Sequence, residues 1–71
     1  MKKKINSALK KARLNADLTQ VEVANKVGIS ERAYQNYESG IRVPNAYIAQ
    51  RIAKVVNSSV EALFTEIKSS E

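Results

Sequence analysis

Three residues that interrupt helices, Gly28, Gly40 and Pro44, divide this sequence of 71 residues. Glycine ends helices because it adopts left-handed backbone angles, and proline cannot continue one because it lacks an amide hydrogen. Between these residues the apolar side chains recur at intervals of three and four, which places them along one side of an α-helix. The sequence therefore predicts an all-α fold, a compact bundle of short helices with short connections.

The first two predicted helices are defined by an apolar stripe and a capping sequence. Helix 1 covers residues 3–15, and its stripe comprises Ile5, Ala8, Leu9, Ala12 and Ala16. Helix 2 begins at Thr19, whose hydroxyl can accept from the backbone while Glu22 reaches back to the Thr19 amide, an arrangement called a capping box. Gly28 is expected to end this helix in the left-handed conformation.

Three further helices follow, each preceded by a residue that can cap its first turn. Ser30 caps helix 3, which runs to Ser39. Asn45 caps helix 4 over residues 46–56. Ser59 caps helix 5, whose apolar side comprises Val60, Leu63, Phe64 and Ile67.

The absence of cysteine and histidine narrows the chemistry that this chain can perform. There can be no disulfides or thiolate metal ligands, and the commonest general base is missing. The seven acidic residues are dispersed, and no glycine-rich phosphate loop occurs. We therefore predict one non-enzymatic domain over residues 1–71, with its core in residues 5–65 and with no metal or cofactor.

The positive charge of the chain lies mainly at its beginning. Residues 1–17 contain six basic side chains against Asp17 alone, within a net charge of +5. Such a patch suits a polyanionic partner, and it equally suits a lysine-rich end that only confers solubility. No apolar run approaches the roughly 18 residues of a membrane span, and basic residues interrupt any signal-peptide core. A cytoplasmic protein without a membrane partner is therefore expected.

Helix 3 has two unlike sides. At about 100° per residue, Ala33, Tyr34 and Tyr37 fall on one arc, and we expect the tyrosines to pack in the core with their hydroxyls at its edge. The opposite arc comprises Glu31, Arg32, Gln35, Asn36 and Ser39. Arginine forms paired hydrogen bonds with guanine, and asparagine or glutamine with adenine, so this outer face suits the major groove of DNA.

Helices 2 and 3 with their turn form a helix-turn-helix candidate over residues 20–39, although such pairs also occur as plain scaffolding. The sequence resembles the Cro/C1-type helix-turn-helix family, the XRE group of lambda-like phage repressors and related bacterial regulators. The similar positions are Leu18-Thr19-Gln20, Val23-Ala24, Val27-Gly28-Ile29-Ser30, Tyr37-Glu38-Ser39-Gly40, Arg42, Pro44, Ile52-Ala53 and Ser59-Val60-Glu61-Ala62-Leu63-Phe64. The resemblance covers about residues 5–65 without a gap and implies a lambda-repressor-like fold.

The resemblance also implies roles for individual residues. The positions that face base edges in this family are matched here by Ser30, Glu31, Arg32, Asn36 and, at the margin, Gln35. Phosphate contacts are implied for Gln20, Arg42 and Asn45. Arg13 and Glu38 match two positions that join helix 1 to helix 3 through an ion pair.

Two of these assignments remain open from the sequence. Glu31 could accept from N4 of cytosine, or it could only stabilise the start of helix 3 through the helix dipole. The stripe on helix 5 could form a dimer surface, or Leu63 and Phe64 could simply close the core. The dimer assignment comprises Val60, Leu63, Phe64 and Ile67.

The function implied by the resemblance is sequence-specific regulation of transcription. The expected protein is a repressor that binds a palindromic operator in double-stranded DNA as a homodimer, with helix 3 in the major groove. The alternative is an antitoxin-type protein that binds a toxin partner and regulates its own operon. Co-purification of a stoichiometric partner, whether toxin or antirepressor, would favour a protein-binding role.

Overall fold

Every helix in the described part of the chain begins at a side chain that caps it. The computed structural model describes residues 6–64, which form five helices: α1 (Ser7–Asn15), α2 (Gln20–Val27), α3 (Glu31–Ser39), α4 (Ala46–Val55) and α5 (Val60–Leu63). Each helix is preceded by a side chain that accepts a hydrogen bond from the amide three residues later, and these caps are Asn6, Thr19, Ser30, Asn45 and Ser59. The predicted all-α fold of five helices is confirmed.

The residues that begin and end α2, and the one that ends α3, act through contacts close by in the sequence. The Thr19 amide donates to the Glu22 carboxylate at 2.8 Å, and the Glu22 amide donates to the Thr19 hydroxyl at 3.1 Å, so the capping box is present. Gly28 ends the helix at a φ of 92°, and Gly40 ends α3 at a φ of 82°. Both glycines therefore occupy the left-handed conformation predicted for them.

The prediction for helix 1 is wrong at its start. Asn6 lies outside the helix, with φ −86° and ψ 82°, and its side chain accepts from the Leu9 amide, so α1 begins at Ser7 instead of residue 3. Ala8 is exposed although it was placed on the buried stripe, because Leu9 and Arg13 are the α1 residues that face inward. Ile5 lies outside the described residues.

The core is built from apolar side chains of all five helices and their ends. α2 packs against α3 and α4, α4 packs against α5, and α1 packs against α3 and α5. The buried apolar residues are Leu9, Val23, Ala24, Val27, Tyr34, Ala49, Ile52, Ala53, Val56, Leu63 and Phe64. Each of the larger ones contributes about 1.5–3 kcal/mol through its removal from water.

Asn6 connects three elements at one point. Its backbone amide donates to the carbonyl of Glu38, near the end of α3, at 3.0 Å. Its side-chain Nδ2 donates to the carbonyl of Leu63, at the end of α5, at 2.8 Å. These bonds satisfy two carbonyls at helix ends that would otherwise lack partners within their own helices.

Candidate nucleic-acid interface

The orientation of α3 is determined by the short turn that joins it to α2. Gly28 adopts the left-handed conformation, and the amides of Gly28 and Ile29 both donate to the carbonyl of Ala24, at 2.8 and 3.0 Å. The Ile29 side chain packs against the core, and Ser30 then caps α3 by accepting from Ala33 at 3.1 Å. The turn is thus attached to the domain at both ends, and these contacts set the orientation of α3 relative to α2.

The two sides of α3 divide as the helical wheel predicts. Tyr34 is fully buried and Tyr37 half-buried. The residues assigned to base contact lie on the other side, where Ser30, Glu31, Arg32 and Gln35 are exposed and Asn36 is half-buried. The structure therefore brings these five side chains together along one face of the helix and its first turn.

Gln20 occupies a position that the sequence did not reveal. Its Nε2 donates to Oε1 of Glu38 at 3.0 Å, and its Oε1 accepts from Nε2 of Gln35 at 3.3 Å. Gln20 therefore links the interior of the domain to the outer face of α3. A glutamine at the start of a helix gave no signal for this, because its partners lie 18 and 15 residues further along the chain.

Glu38 is the centre of a buried network that holds α1, α2 and α3 together. Nε and Nη2 of Arg13 donate to the two carboxylate oxygens, and the Tyr34 hydroxyl donates to Oε2 at 2.7 Å. Nη1 of Arg13 also donates to the carbonyl of Leu18 at 3.0 Å. The Tyr34 hydroxyl thus points into this network, whereas the sequence had suggested that it would reach the edge of the domain.

The same contacts alter the pKa values of the network. Burial on its own would raise the pKa of the Glu38 carboxyl, but the hydrogen bonds from Arg13, Tyr34 and Gln20 outweigh it and hold that pKa below its ordinary value. Burial, together with the bond to Glu38, raises the pKa of Tyr34. The hydrogen bond to Glu38 raises the pKa of Arg13. The carboxylate is therefore charged and the phenol neutral at neutral pH.

Glu31 has a contact within the domain. One of its carboxylate oxygens accepts from Nε2 of Gln35, one helical turn later, at 3.3 Å. The carboxylate also lies in the first turn of α3, where a negative charge interacts favourably with the helix dipole. Both contacts fit the alternative in which Glu31 supports α3.

The residues assigned to phosphate contact lie in two separate places. Gln20 begins α2 and is half-buried, whereas Arg42 and Asn45 are exposed between α3 and α4. The Arg42 amide donates to the Asn36 carbonyl at 3.2 Å, which folds this loop back on the end of α3. Asn45 Oδ1 accepts from the Ile48 amide at 2.8 Å, so Asn45 begins α4 with its amide nitrogen still able to donate elsewhere.

The side chains assigned to a dimer surface are mostly inside the domain. Leu63 and Phe64 are each only 4% exposed and belong to the core, and Val60 is half-buried against it. Leu63 and Phe64 therefore close the core, which was the alternative considered for them, and neither offers a surface to a second copy. Ile67 lies outside the described residues.

A cation at the end of α2 was not found from the sequence. Nε of Arg51, on α4, donates to the carbonyl of Val27 at 2.9 Å, and its guanidinium lies 5.6 Å from the ring centre of Tyr47. Val27 is the last residue of α2, so this charge lies at the negative end of the helix dipole. The contact fastens α4 to the end of α2 just before the turn.

A helix-turn-helix DNA-binding domain requires a reading helix that is joined by a tight turn to a supporting helix. The reading helix must present hydrogen-bonding groups on its outer side while its inner side packs in the core. Residues 9–63 match the family described as Helix-turn-helix (HTH_3), and the chain belongs to this family of DNA-binding domains. The predicted Cro/C1-type resemblance is thereby confirmed, as is the prediction of a non-enzymatic domain.

Two curated relatives are similar to this chain. The cryptic phage CTXphi transcriptional repressor RstR of Vibrio cholerae is 30% identical over 61 residues, which cover 86% of this chain and 55% of RstR. The uncharacterized HTH-type transcriptional regulator YqaE of Bacillus subtilis (strain 168) is 38% identical over 55 residues, 78% of this chain and 47% of YqaE. The chain thus spans about half the length of the curated relatives it matches.

A solved structure shares the fold. The DNA-binding domain of the P22 c2 repressor superimposes with a TM-score of 0.77 at 18% identity, covering 100% of this chain and 96% of that one. This agrees with the lambda-repressor-like architecture implied by the sequence. Among the helices of residues 6–64, none has the length and apolar character needed to cross a membrane.

Proposed function

We propose that this chain regulates transcription by binding double-stranded DNA in a sequence-specific manner, with α3 in the major groove. The observation that carries the proposal is the outer side of α3, where hydrogen-bonding side chains are exposed while Tyr34 and Glu38 on the inner side are buried. The network around Glu38 maintains the orientation of this face before DNA arrives. The similarity to RstR supports repression as the outcome. A cytoplasmic location is part of the proposal, because the DNA would lie there.

The proposed division of contacts follows the positions of the side chains. Base edges are read from α3 and its cap by Ser30, Glu31, Arg32, Gln35 and Asn36. Arg32 is the member best suited to guanine, because its guanidinium can donate to both O6 and N7. Asn36 can pair with adenine in the same manner.

Phosphates are bound on both sides of this face by Gln20, Arg42 and Asn45. Nε2 of Gln20 has two hydrogens, of which one is donated to Glu38, so the other can be donated to a phosphate. Arg42 contributes a full positive charge from an exposed loop. The first turn of α4, next to Asn45, adds backbone amides and the positive end of the helix dipole.

A homodimer on a palindromic operator is also part of the proposal. One reading helix contacts only a few base pairs, and two copies whose α3 helices lie about 34–36 Å apart would contact successive turns of the major groove. The burial of Leu63 and Phe64 means that α5 cannot supply this contact through those two side chains. Sedimentation analysis with and without DNA at micromolar concentration measures the stoichiometry, and one copy per operator would refute the dimer.

Selection of binding sites from a random duplex pool tests the reading of DNA. The wild-type chain should enrich one motif, and Arg32→Ala should lose the preference at one position with a loss of about 1–3 kcal/mol for the best site. Arg42→Ala is the matched control, because it removes an exposed arginine outside α3. It should weaken all sequences similarly and reduce the slope of log K against log salt by about 1.

Two results would refute the proposal. The first is a wild-type chain that enriches no motif, and the second is an Arg32→Ala variant whose preferences equal those of Arg42→Ala at every position. Gln20→Ala is a poorer phosphate probe than Arg42→Ala. Its side chain also holds Gln35 and Glu38, so its loss would disturb the reading face as well.

A further inference from the structure

The hydrogen bonds between buried Glu38 and the outer face of α3 all have the same direction, because each side chain donates to its more deeply placed neighbour. Gln20 donates through Nε2 to Glu38, and Gln35 donates through Nε2 to the Oε1 of Gln20. The Nε2 of Gln35 donates a second time, to Glu31. Glu38, Gln20 and Glu31 thus determine the orientation of the Gln35 amide.

The direction of this chain follows from the carboxylates at its two ends. An ionised carboxylate only accepts hydrogen bonds, so Gln20 must turn its NH2 group toward Glu38 and present its oxygen to Gln35. Glu31, being a carboxylate, independently requires the NH2 group of Gln35 on its own side. The two requirements agree with each other, so the orientation of both amides is determined by chemistry at either end.

These bonds determine which hydrogen-bonding groups of Gln35 are left to contact DNA. A glutamine amide has two N–H donors, and both are donated within the domain, one to Gln20 and one to Glu31. Its Oε1 remains as an acceptor on an exposed side chain. Glutamine ordinarily pairs with adenine through both groups, donating to N7 and accepting from N6. Here only the second of these bonds is available.

We propose that Gln35 reads DNA solely as a hydrogen-bond acceptor and therefore selects a base whose exocyclic amino group lies in the major groove, either adenine or cytosine. Guanine and thymine offer only acceptors in the major groove, so either base would set an acceptor against the Oε1 of Gln35. A phosphate likewise has only acceptors, so Gln35 is not a backbone contact. Gln20 and Glu31 are then positioning residues that set the base preference without touching that base. This inference rests on the proposed function.

The experiment begins with site selection for the wild type and for Gln35→Ala. The position at which Gln35→Ala alone loses its preference identifies the base pair that faces Gln35, and every such pair presents one amino group in the major groove, on adenine or on cytosine. An operator is then made without that amino group, with purine in place of adenine or 2-pyrimidinone in place of cytosine. Its affinity for the wild type should fall about tenfold, the equivalent of one hydrogen bond. Gln35→Ala should bind both operators equally, which controls for weakened base pairing.

A second modified operator distinguishes recognition by the Gln35 oxygen alone from recognition of adenine through two hydrogen bonds, one to N6 and one to N7. Replacing the purine of that base pair by its 7-deaza form removes N7 and should change the affinity of the wild type by less than twofold. Glu31→Ala tests the positioning, because it frees one N–H of Gln35 to donate to N7 of the purine, so this variant, unlike the wild type, should lose affinity for the 7-deaza operator. Glu31→Gln is its matched control, since its amide oxygen can still accept from Gln35 without the negative charge, and it should keep the wild-type preference.

The outcomes separate this inference from the function on which it rests. A wild-type chain that binds the amino-deleted operator as tightly as the unmodified one overturns the acceptor-only assignment and leaves DNA binding established. An equal loss on the 7-deaza and amino-deleted operators overturns it too, as does a Gln35→Ala variant with unchanged preferences. A wild-type chain that enriches no motif overturns both proposals.

Discussion

Replacement of Glu38 by glutamine should destabilise the domain by roughly 3–5 kcal/mol, because it leaves the buried guanidinium of Arg13 without its counter-charge. The carboxylate of Glu38 accepts four hydrogen bonds, from two nitrogens of Arg13, the Tyr34 hydroxyl and Nε2 of Gln20. In the variant, one of the two accepting oxygens becomes an NH2 group that faces these donors. Arg13 is only 9% exposed, so water cannot replace the lost partner.

This loss of roughly 3–5 kcal/mol is large compared with the net stability expected of a domain of this size. A core in a chain of 71 residues supplies only a few kcal/mol of net stability. A loss of 1 kcal/mol lowers Tm by roughly 4–8 °C at this size, so Glu38→Gln should lower it by at least about 12 °C. The variant is therefore expected to be partly unfolded at room temperature.

Urea unfolding followed by the helical circular dichroism signal measures the effect in a double-mutant cycle. Arg13→Met alone should also be costly, because it leaves the Glu38 carboxylate buried without its cation. The combination Arg13→Met with Glu38→Gln should lose less than the sum, by about 2 kcal/mol, because no uncompensated charge remains. Glu61→Gln is the control for charge alone, since Glu61 is exposed and its loss should cost under about 1 kcal/mol.

Two results would refute this reasoning. One is a cost below about 1 kcal/mol for Glu38→Gln, which would mean that water or a rearranged side chain satisfies Arg13. The other is additivity of the two substitutions within about 0.5 kcal/mol, which is the behaviour of residues that do not interact.

Three further predictions follow from the same structure. Stability should fall as the pH drops below about 4.3, the ordinary pKa of a glutamate. The unfolded chain then binds a proton that folded Glu38, with its lowered pKa, does not. Urea unfolding from pH 6 to pH 2.5 should show a smaller decline for Arg13→Met with Glu38→Gln, and an equal decline would contradict the assignment. Thr19→Ala should cost about 1 kcal/mol in the same assay by removing the cap of α2, whereas Thr19→Ser should cost much less. Gly28→Ala should cost about 1–2 kcal/mol through its left-handed φ alone, because an added Cβ meets nothing within 4 Å. An unaffected midpoint would show that this turn relaxes.

Apart from the start of α1, where the cap formed by Asn6 was missed, the helix ends could be predicted because their determinants are local. A side chain such as Thr19, Ser30 or Asn45 forms its capping bond with an amide three residues away, and glycine ends a helix through its own backbone freedom. Composition and spacing along the chain contain this information directly. The division of α3 into a buried and an exposed side was predictable for the same reason.

The contacts between distant residues could not be predicted in the same way. The spacing that placed Ala8 on a buried stripe also allows a stripe rotated slightly around the helix, and only the packing of α1 against α3 and α5 decides between them. An apolar stripe on α5 likewise does not say whether its neighbour belongs to the same chain, and Leu63 and Phe64 proved to have theirs within it. The bonds of Gln20 depend on side chains that only the folded chain brings near.

The bond between Asn6 and Leu63 has a consequence for how this fold can be connected. It joins residues 57 positions apart, so the start of α1 and the end of α5 lie side by side. A short linker could therefore connect these two points, and the chain could be opened instead at the exposed residues Asn57 and Ser58, between α4 and α5. In such a circular permutant α5 would come first and α4 last, while α2, its turn and α3 would remain continuous. The order of the five helices along the chain could therefore be changed without changing the surface formed by α2, its turn and α3.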